Sequence, residues 1–173
     1  MFDPAGGDDV MVGLARDDEI ESVGELTVDA YVADGLASGA YLSELRDASA
    51  RAEEGLLVVA RDRRSGDLLG TASLFTWRAP ARWSEGAQPG EAVLRMLAVA
   101  PSARRRGVGR RLTLDCLRRS GDVGCRRLVL VSATPMTAAH ALYEQLGLTR
   151  DPVRDRTLAS GGVLIAYQRS VAS

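Results

Sequence analysis

The sequence predicts an α/β (α+β) domain with a mixed, mostly antiparallel sheet of about seven strands flanked by about four helices. Three observations predict it. Apolar runs of strand length recur along the chain. Amphipathic stretches of helical length separate them. One pair of runs is joined by a short polar turn. A hairpin beside helical crossovers demands antiparallel and parallel pairing in one sheet.

Residues 10–15 (VMVGLA) form the first strand. Asp17 and Asp18 offer N-caps to an amphipathic stretch that places Ile20, Val23, Leu26 and Val28 inside. Gly35 and Gly39 break that helix. A second helix runs from about Tyr41 to Glu54, with Tyr41, Leu42 and Leu45 on its apolar side. Leu56–Ala60 and Leu68–Trp77 are strands, and Arg63–Asp67 turns one into the other. Residues 78–90 hold two prolines and two glycines and read as a loop. Val93–Val99 is the next strand, stopped by Pro101. A helix follows from about Gly107 to Ser120, with Val108, Leu112 and Cys116 on one stripe. Leu128–Val131 is a buried-type strand. Pro135 opens a helix that ends at Leu146, and Gly147 caps it. Thr149–Val153 and Val163–Tyr167 close the sheet, with 154–162 connecting them.

The length of 173 residues suits a single domain over 1–173, with 1–9 expected to be flexible. A net charge of −1 disfavours a general nucleic-acid or membrane-surface binder. All 22 basic residues are Arg, which reflects coding bias rather than function. The N-terminus lacks the pattern of a secretory signal, and no apolar run reaches spanning length. Cys116 and Cys125 form no CxxC pair, so a cytoplasmic location with free thiols is expected. His140 is the single histidine, which argues against a metal site or a histidine triad.

The most informative stretch is Leu97 through Leu112 (LAVAPSARRRGVGRRL). It runs from strand through polar loop and glycines into a helix. Glycines admit a ligand close to the backbone, and the N–H groups opening a helix attract anions. Arg104, Arg105, Arg106 and Arg110 add positive potential. A dinucleotide fingerprint would need a third glycine where Leu112 stands. A P-loop would need a lysine, and there is none. A solvated arginine cluster capping a helix remains the plain alternative.

Leu97–Gly109 resembles the acetyl-CoA-binding motif of the GCN5-related N-acetyltransferase (GNAT) superfamily. The family's Arg/Gln-x-x-Gly-x-Gly/Ala appears as Arg104, Gly107 and Gly109, and its strand ending as Leu97, Val99 and Pro101. Arg105 stands where many members carry glycine. Ala139–Leu148 resembles the family's Ala-x-x-Leu-Tyr-x-x-x-Gly-Phe signature, with Leu148 for Phe. Met136 replaces an Asn that touches the coenzyme in many members. The resemblance covers about residues 56–167. It implies a GNAT-like fold and acetyl-CoA as co-substrate. It implies coenzyme contacts from Leu97, Ala98, Val99, Arg104, Arg105, Arg106, Gly107, Val108, Gly109 and Arg110.

Acyl transfer to an amine needs a deprotonated nucleophile, a donor to the carbonyl oxygen and an acid for the departing thiolate. The resemblance places Tyr143 near the coenzyme sulfur, as the acid; by spacing alone it would be a core aromatic. Glu91, at the start of the strand leading to the loop, is the candidate base, with a solvated strand-end carboxylate as the alternative. The family's oxyanion donor is a backbone N–H around Leu97–Val99. The acceptor side is implied to lie in residues 20–54, 78–90 and 151–162. Cues there conflict. Glu85 and Glu91 would attract a cation, whereas Arg150, Arg154 and Arg156 would attract an acid. Trp77 and Trp83 read as packing.

The expected activity is acetyl transfer to a primary amine of a small molecule, peptide or protein through a ternary complex. A non-catalytic acyl-CoA-binding module is the alternative. The expected partners are acetyl-CoA and an amine acceptor, without nucleic acid, membrane or metal. A homodimer is admitted and left undecided.

Overall fold

The computed structural model describes residues 9–171. The expectation of a flexible start thus falls almost wholly outside the described residues. Contacts divide the chain into two compact units, one of Met1–Leu74 with Met96–Cys116, the other of Phe75–Arg95 with Leu117–Ser173.

In the first unit, β1 (Val10–Leu14) lies antiparallel to β2 (Leu56–Asp62), pairing Val12 with Ala60. β2 in turn pairs antiparallel with β3 (Leu68–Thr76), Val58 opposite Ala72. The turn between them works because Asp62 Oδ1 accepts the Arg64 and Ser65 amides at 2.9 and 3.2 Å. α1 (Ile20–Ala33) buries Val23, Thr27, Val28 and Ala30, the face its period selects. Val23 joins Ala48, Leu57 and Val59 in one core cluster.

The expected helix 41–54 is two helices, α2 (Ala40–Arg46) and α3 (Ala48–Glu54). Asp47 breaks the run because its carboxylate caps α3, accepting the Ala50 amide at 3.1 Å. Arg51 of α3 is fully buried. It donates to the Leu45 carbonyl at 2.6 Å and to the hydroxyls of Ser73 and Thr27 at 3.2 and 3.3 Å. Burial pulls its pKa down to about 10, outweighing the opposing influence of Tyr31, Tyr41, Asp47 and Glu44.

In the second unit, the residues 78–90 expected as loop hold a one-turn helix, α4 (Ala81–Ser84). It seats Trp83 flat on Phe75, with ring centroids 5.0 Å apart and planes 1° from parallel. β4 (Glu91–Val99) begins here and pairs parallel with β5 (Arg127–Ala133) from Glu91↔Arg127 to Val93↔Val129. β5 pairs antiparallel with β8 (Val163–Ser170), Leu130 opposite Tyr167. α6 (Thr137–Gln145) ends at Gly147, whose φ of 76° suits a glycine cap. Leu148, at the position of the family's Phe, is buried. The expected strand 149–153 shortens to β6 (Thr149–Arg150), since Pro152 starts a 3-10 turn over Pro152–Arg154. β7 (Arg156–Thr157), read from sequence as connection, pairs with β8.

α5 (Val108–Asp122) follows β4. The sheet order is β1-β2-β3-β4-β5-β8-β6, with β7 beside β8. This is the mixed, mostly antiparallel architecture the sequence predicts. No helix of the described residues is long and apolar enough to cross a membrane.

Among the described glycines of the first unit, Gly24 leaves the least room for a Cβ. A Cβ there would meet the Arg46 carbonyl oxygen at 2.2 Å, so α1 and the end of α2 can pack only with glycine at that position. Gly24→Ala should cost about 1–3 kcal/mol by overpacking, read as a lowered urea midpoint with unchanged slope. Gly35→Ala, at φ 67° but with nothing within 4 Å, should cost less. Equal losses would contradict the packing argument.

Candidate active site

The expected coenzyme loop lies in the first unit. At Met96 the chain leaves regular β4 geometry with φ 52°, a left-handed conformation that a non-glycine residue adopts only when its surroundings impose it. Ala98 is buried, and the Ala100 amide donates to the Leu69 carbonyl at 2.8 Å. A 3-10 turn over Pro101–Ala103 leads to extended Arg104. Arg105 then takes φ 65° and Gly107 φ 73°, and α5 begins at Val108. Arg105 therefore adopts the backbone that glycine would take at its position. Two left-handed residues before a helix turn successive amides inward, which is how main chain forms an anion-binding concavity. The first amides of α5 have no acceptor within the helix.

Gly70 seats this helix. A Cβ at Gly70 would lie 2.8 Å from the Ala98 carbonyl oxygen and 2.8 Å from Val108 Cγ1. Only glycine lets α5 start flush against β3. Two arginines fasten the loop: Arg104 Nη1 lies 2.7 Å from Asp34 Oδ1, and Arg106 Nη2 2.9 Å from Asp62 Oδ2. Arg106 and the Arg64 and Ser65 amides pull the Asp62 pKa down to about 2. Arg105 and Arg110 are exposed and make no ion pair among the described residues. Two of the loop's charges are thus spent on anchoring.

The expected acid and base lie in the second unit. Tyr143 of α6 is buried, its ring centroid 5.7 Å from that of Tyr167, whose hydroxyl donates to Glu144 Oε1 at 3.2 Å. His140 Nε2 sits 3.2 Å from Ser132 Oγ and 3.1 Å from the Ala133 carbonyl, a satisfied packing histidine. Met136 contributes only its sulfur, which accepts from Ser132 Oγ at 3.6 Å. Both cysteines are free and buried, and burial pushes the Cys125 thiol up.

Glu91 is only 3% exposed. Arg154 grips both its oxygens at 2.8 Å, the Gln88 amide donates at 2.8 Å, and Arg127 lies at 3.4 Å. Burial favours the neutral acid, but the Arg154 and Gln88 hydrogen bonds and the charges of both arginines outweigh it, so the carboxyl titrates below its ordinary range. Sequence reasoning placed Glu91 and Arg154 on opposing sides of the acceptor question. Their pairing spans 63 residues, and no local signal announces it. Met96 was missed too, because nothing in its identity marks a left-handed residue.

Left-handed Arg105 and Gly107 thus lead into a helix that Gly70 seats, in the loop that the sequence singled out. Comparison gives the family. The profile of the acetyltransferase (GNAT) family matches residues 20–148, and the chain belongs to that family. It is thus an enzyme of the acetyl-CoA-dependent N-acetyltransferase kind. No curated protein matches the chain. Among solved structures, a GCN5-related N-acetyltransferase from Kribbella flavida is 26% identical, with TM-score 0.69, covering 94% of this chain and 98% of its own. The ribosomal-protein-S18-alanine N-acetyltransferase of Escherichia coli is 19% identical, with TM-score 0.70 and 95% of each chain covered. The yncA protein of Salmonella typhimurium, solved with its cofactor acetyl-CoA, is 16% identical, with TM-score 0.68 and 95% of each chain covered. The last two likenesses concern the fold.

The Glu91–Arg154 pair has a definite pH signature. The folded pKa of Glu91 lies below its unfolded value, so the pair stabilises the fold above the unfolded value and loses this as pH falls through the folded one. Glu91→Gln should cost roughly 2–3 kcal/mol at neutral pH. Urea titrations should show the gap to wild type narrowing below about pH 4. A gap independent of pH would contradict the pairing.

Proposed function

We propose that the chain transfers the acetyl group of acetyl-CoA to a primary amine of a small molecule, peptide or protein, within a ternary complex. The observation that carries this reading is the pair of left-handed residues, Arg105 and Gly107, turning the loop into the start of α5. That backbone suits a bridged pair of phosphates, and the family match supplies the coenzyme. The amides of Arg105 through Arg110 would receive the pyrophosphate. The strand end Leu97–Val99 would lie along the pantetheine arm and offer a backbone N–H to the thioester oxygen. The yncA protein, solved with acetyl-CoA on the same fold, supports the assignment.

In the proposed step the neutral amine nitrogen attacks the thioester carbonyl carbon, the C–S bond breaks, the thiolate takes the proton of the Tyr143 hydroxyl, and the proton released by the nitrogen returns through water to the Tyr143 phenolate. A phenol O–H is a proton donor and suits that donation. Glu91 fits the base role poorly. Both its oxygens are engaged by Arg154, and a carboxylate held below its usual range is a weak proton acceptor. We read it as a residue that positions Arg154, with the amine losing its proton to water or binding already neutral. We place this activity in the cytoplasm, in a single functional domain.

Free thiol released from acetyl-CoA over a panel of amines tests this reading. Tyr143→Phe should slow turnover roughly a hundredfold or more while leaving acetyl-CoA affinity within about threefold. Wild-type rates in Tyr143→Phe would remove it from the chemistry. Acetyl-CoA binding without turnover of any amine would favour a regulatory acyl-CoA-binding module.

A further inference from the structure

The acceptor-side segments carry charges that cancel one another within the second unit. Arg154 is engaged by Glu91 and, at 3.1 Å, by Asp151. Arg156 Nη1 lies 2.6 Å from Glu85 Oε2. Arg150 donates to the two oxygens of Asp155 at 2.9 and 2.7 Å. Arg95 donates to the Arg82 carbonyl, its guanidinium 5.6 Å from the centre of the Trp83 ring. The conflict visible in sequence, acids drawing cations and arginines drawing anions, is resolved because each group has a partner in the fold.

These pairs border a cavity of about 220 Å³. Val93, Val129, Val131, Ala166 and Trp83 line it, and Val153 lines it while being 94% exposed. A valine left almost wholly in water at the rim of an apolar cavity gains burial when an occupant fills that cavity. The size sets the occupant: an apolar cavity of about 150 Å³ holds benzene, so this one takes a substituted ring or a large branched chain. A second charge on the acceptor would lose its hydration there and meet ion pairs already satisfied.

We propose that this cavity receives the side group of the acceptor and selects primary amines bearing an uncharged aromatic or large branched aliphatic group. The proposal rests on the transferase reading above. The same chemistry can come from a free amine or from the first residue of a peptide.

The test compares kcat/KM for phenethylamine and isoamylamine with that for putrescine and β-alanine, by thiol release at saturating acetyl-CoA. Dipeptides beginning with Phe, Lys or Asp, set against phenylalaninamide, distinguish the two sources. The apolar amines should exceed the charged ones by roughly tenfold or more. Val153→Asp, at an exposed position that folding does not need, should lower kcat/KM for phenethylamine severalfold through KM. It should leave acetyl-CoA affinity and the unfolding midpoint unchanged. Equal or better turnover of putrescine or β-alanine overturns the proposal. So does a protein that binds acetyl-CoA yet neither acetylates nor is thermally stabilised by any apolar amine. Failure to bind acetyl-CoA would strike the transferase reading itself, and this proposal with it.

Discussion

Main-chain amides between Arg104 and the first turn of α5 are the interaction on which the account depends. A helix start leaves donors without intrahelical acceptors, and two left-handed residues aim neighbouring donors the same way. In the proposed site the backbone would do the binding, so it would tolerate variation in side chains. It tolerates little variation in where the backbone runs. That explains why the constraints cluster beneath the loop: Gly70 admits α5 onto β3, Val108 and Leu112 are buried, and Asp34 and Asp62 hold two arginines. Arg105 in a left-handed conformation is a strain of order 1 kcal/mol that the surrounding contacts sustain.

The second unit is organised by paired charges rather than by backbone. Glu91 is nearly inaccessible, and its partner Arg154 comes from the turn after β6. Removing one member would leave the other in a poorly hydrated place, so the pair fixes that turn strongly even if its net contribution is small. The same segment borders the apolar cavity. Rigidity of the wall and the proposed selectivity of the cavity would thus follow from one set of contacts.

Much of this was legible in sequence. Strands, helices and the glycine loop before α5 follow local rules of period, capping and glycine placement, and the element order held apart from four places, one of them the one-turn α4 inside the expected loop 78–90. Asp47 split one helix, since a capping residue at a helix centre competes with the run around it. Pro152 cut short a strand, and two residues sufficed for β7. The less legible part was non-local. Pairings of Arg154 with Glu91 or Arg156 with Glu85 join distant segments, and their cancellation reverses what the isolated charges suggested. Met96 and Arg105 take conformations set by tertiary context, which identity does not encode.

Isothermal calorimetry of CoA and acetyl-CoA at modest salt, on wild type, Arg105→Gly and Gly107→Val, is the most direct test. The account predicts saturable binding to wild type, retained in Arg105→Gly, where glycine accepts the same backbone. Binding should weaken at least about tenfold in folded Gly107→Val, since a β-branched residue resists positive φ. Absence of association with well-folded wild type, or undiminished binding by Gly107→Val, would contradict it.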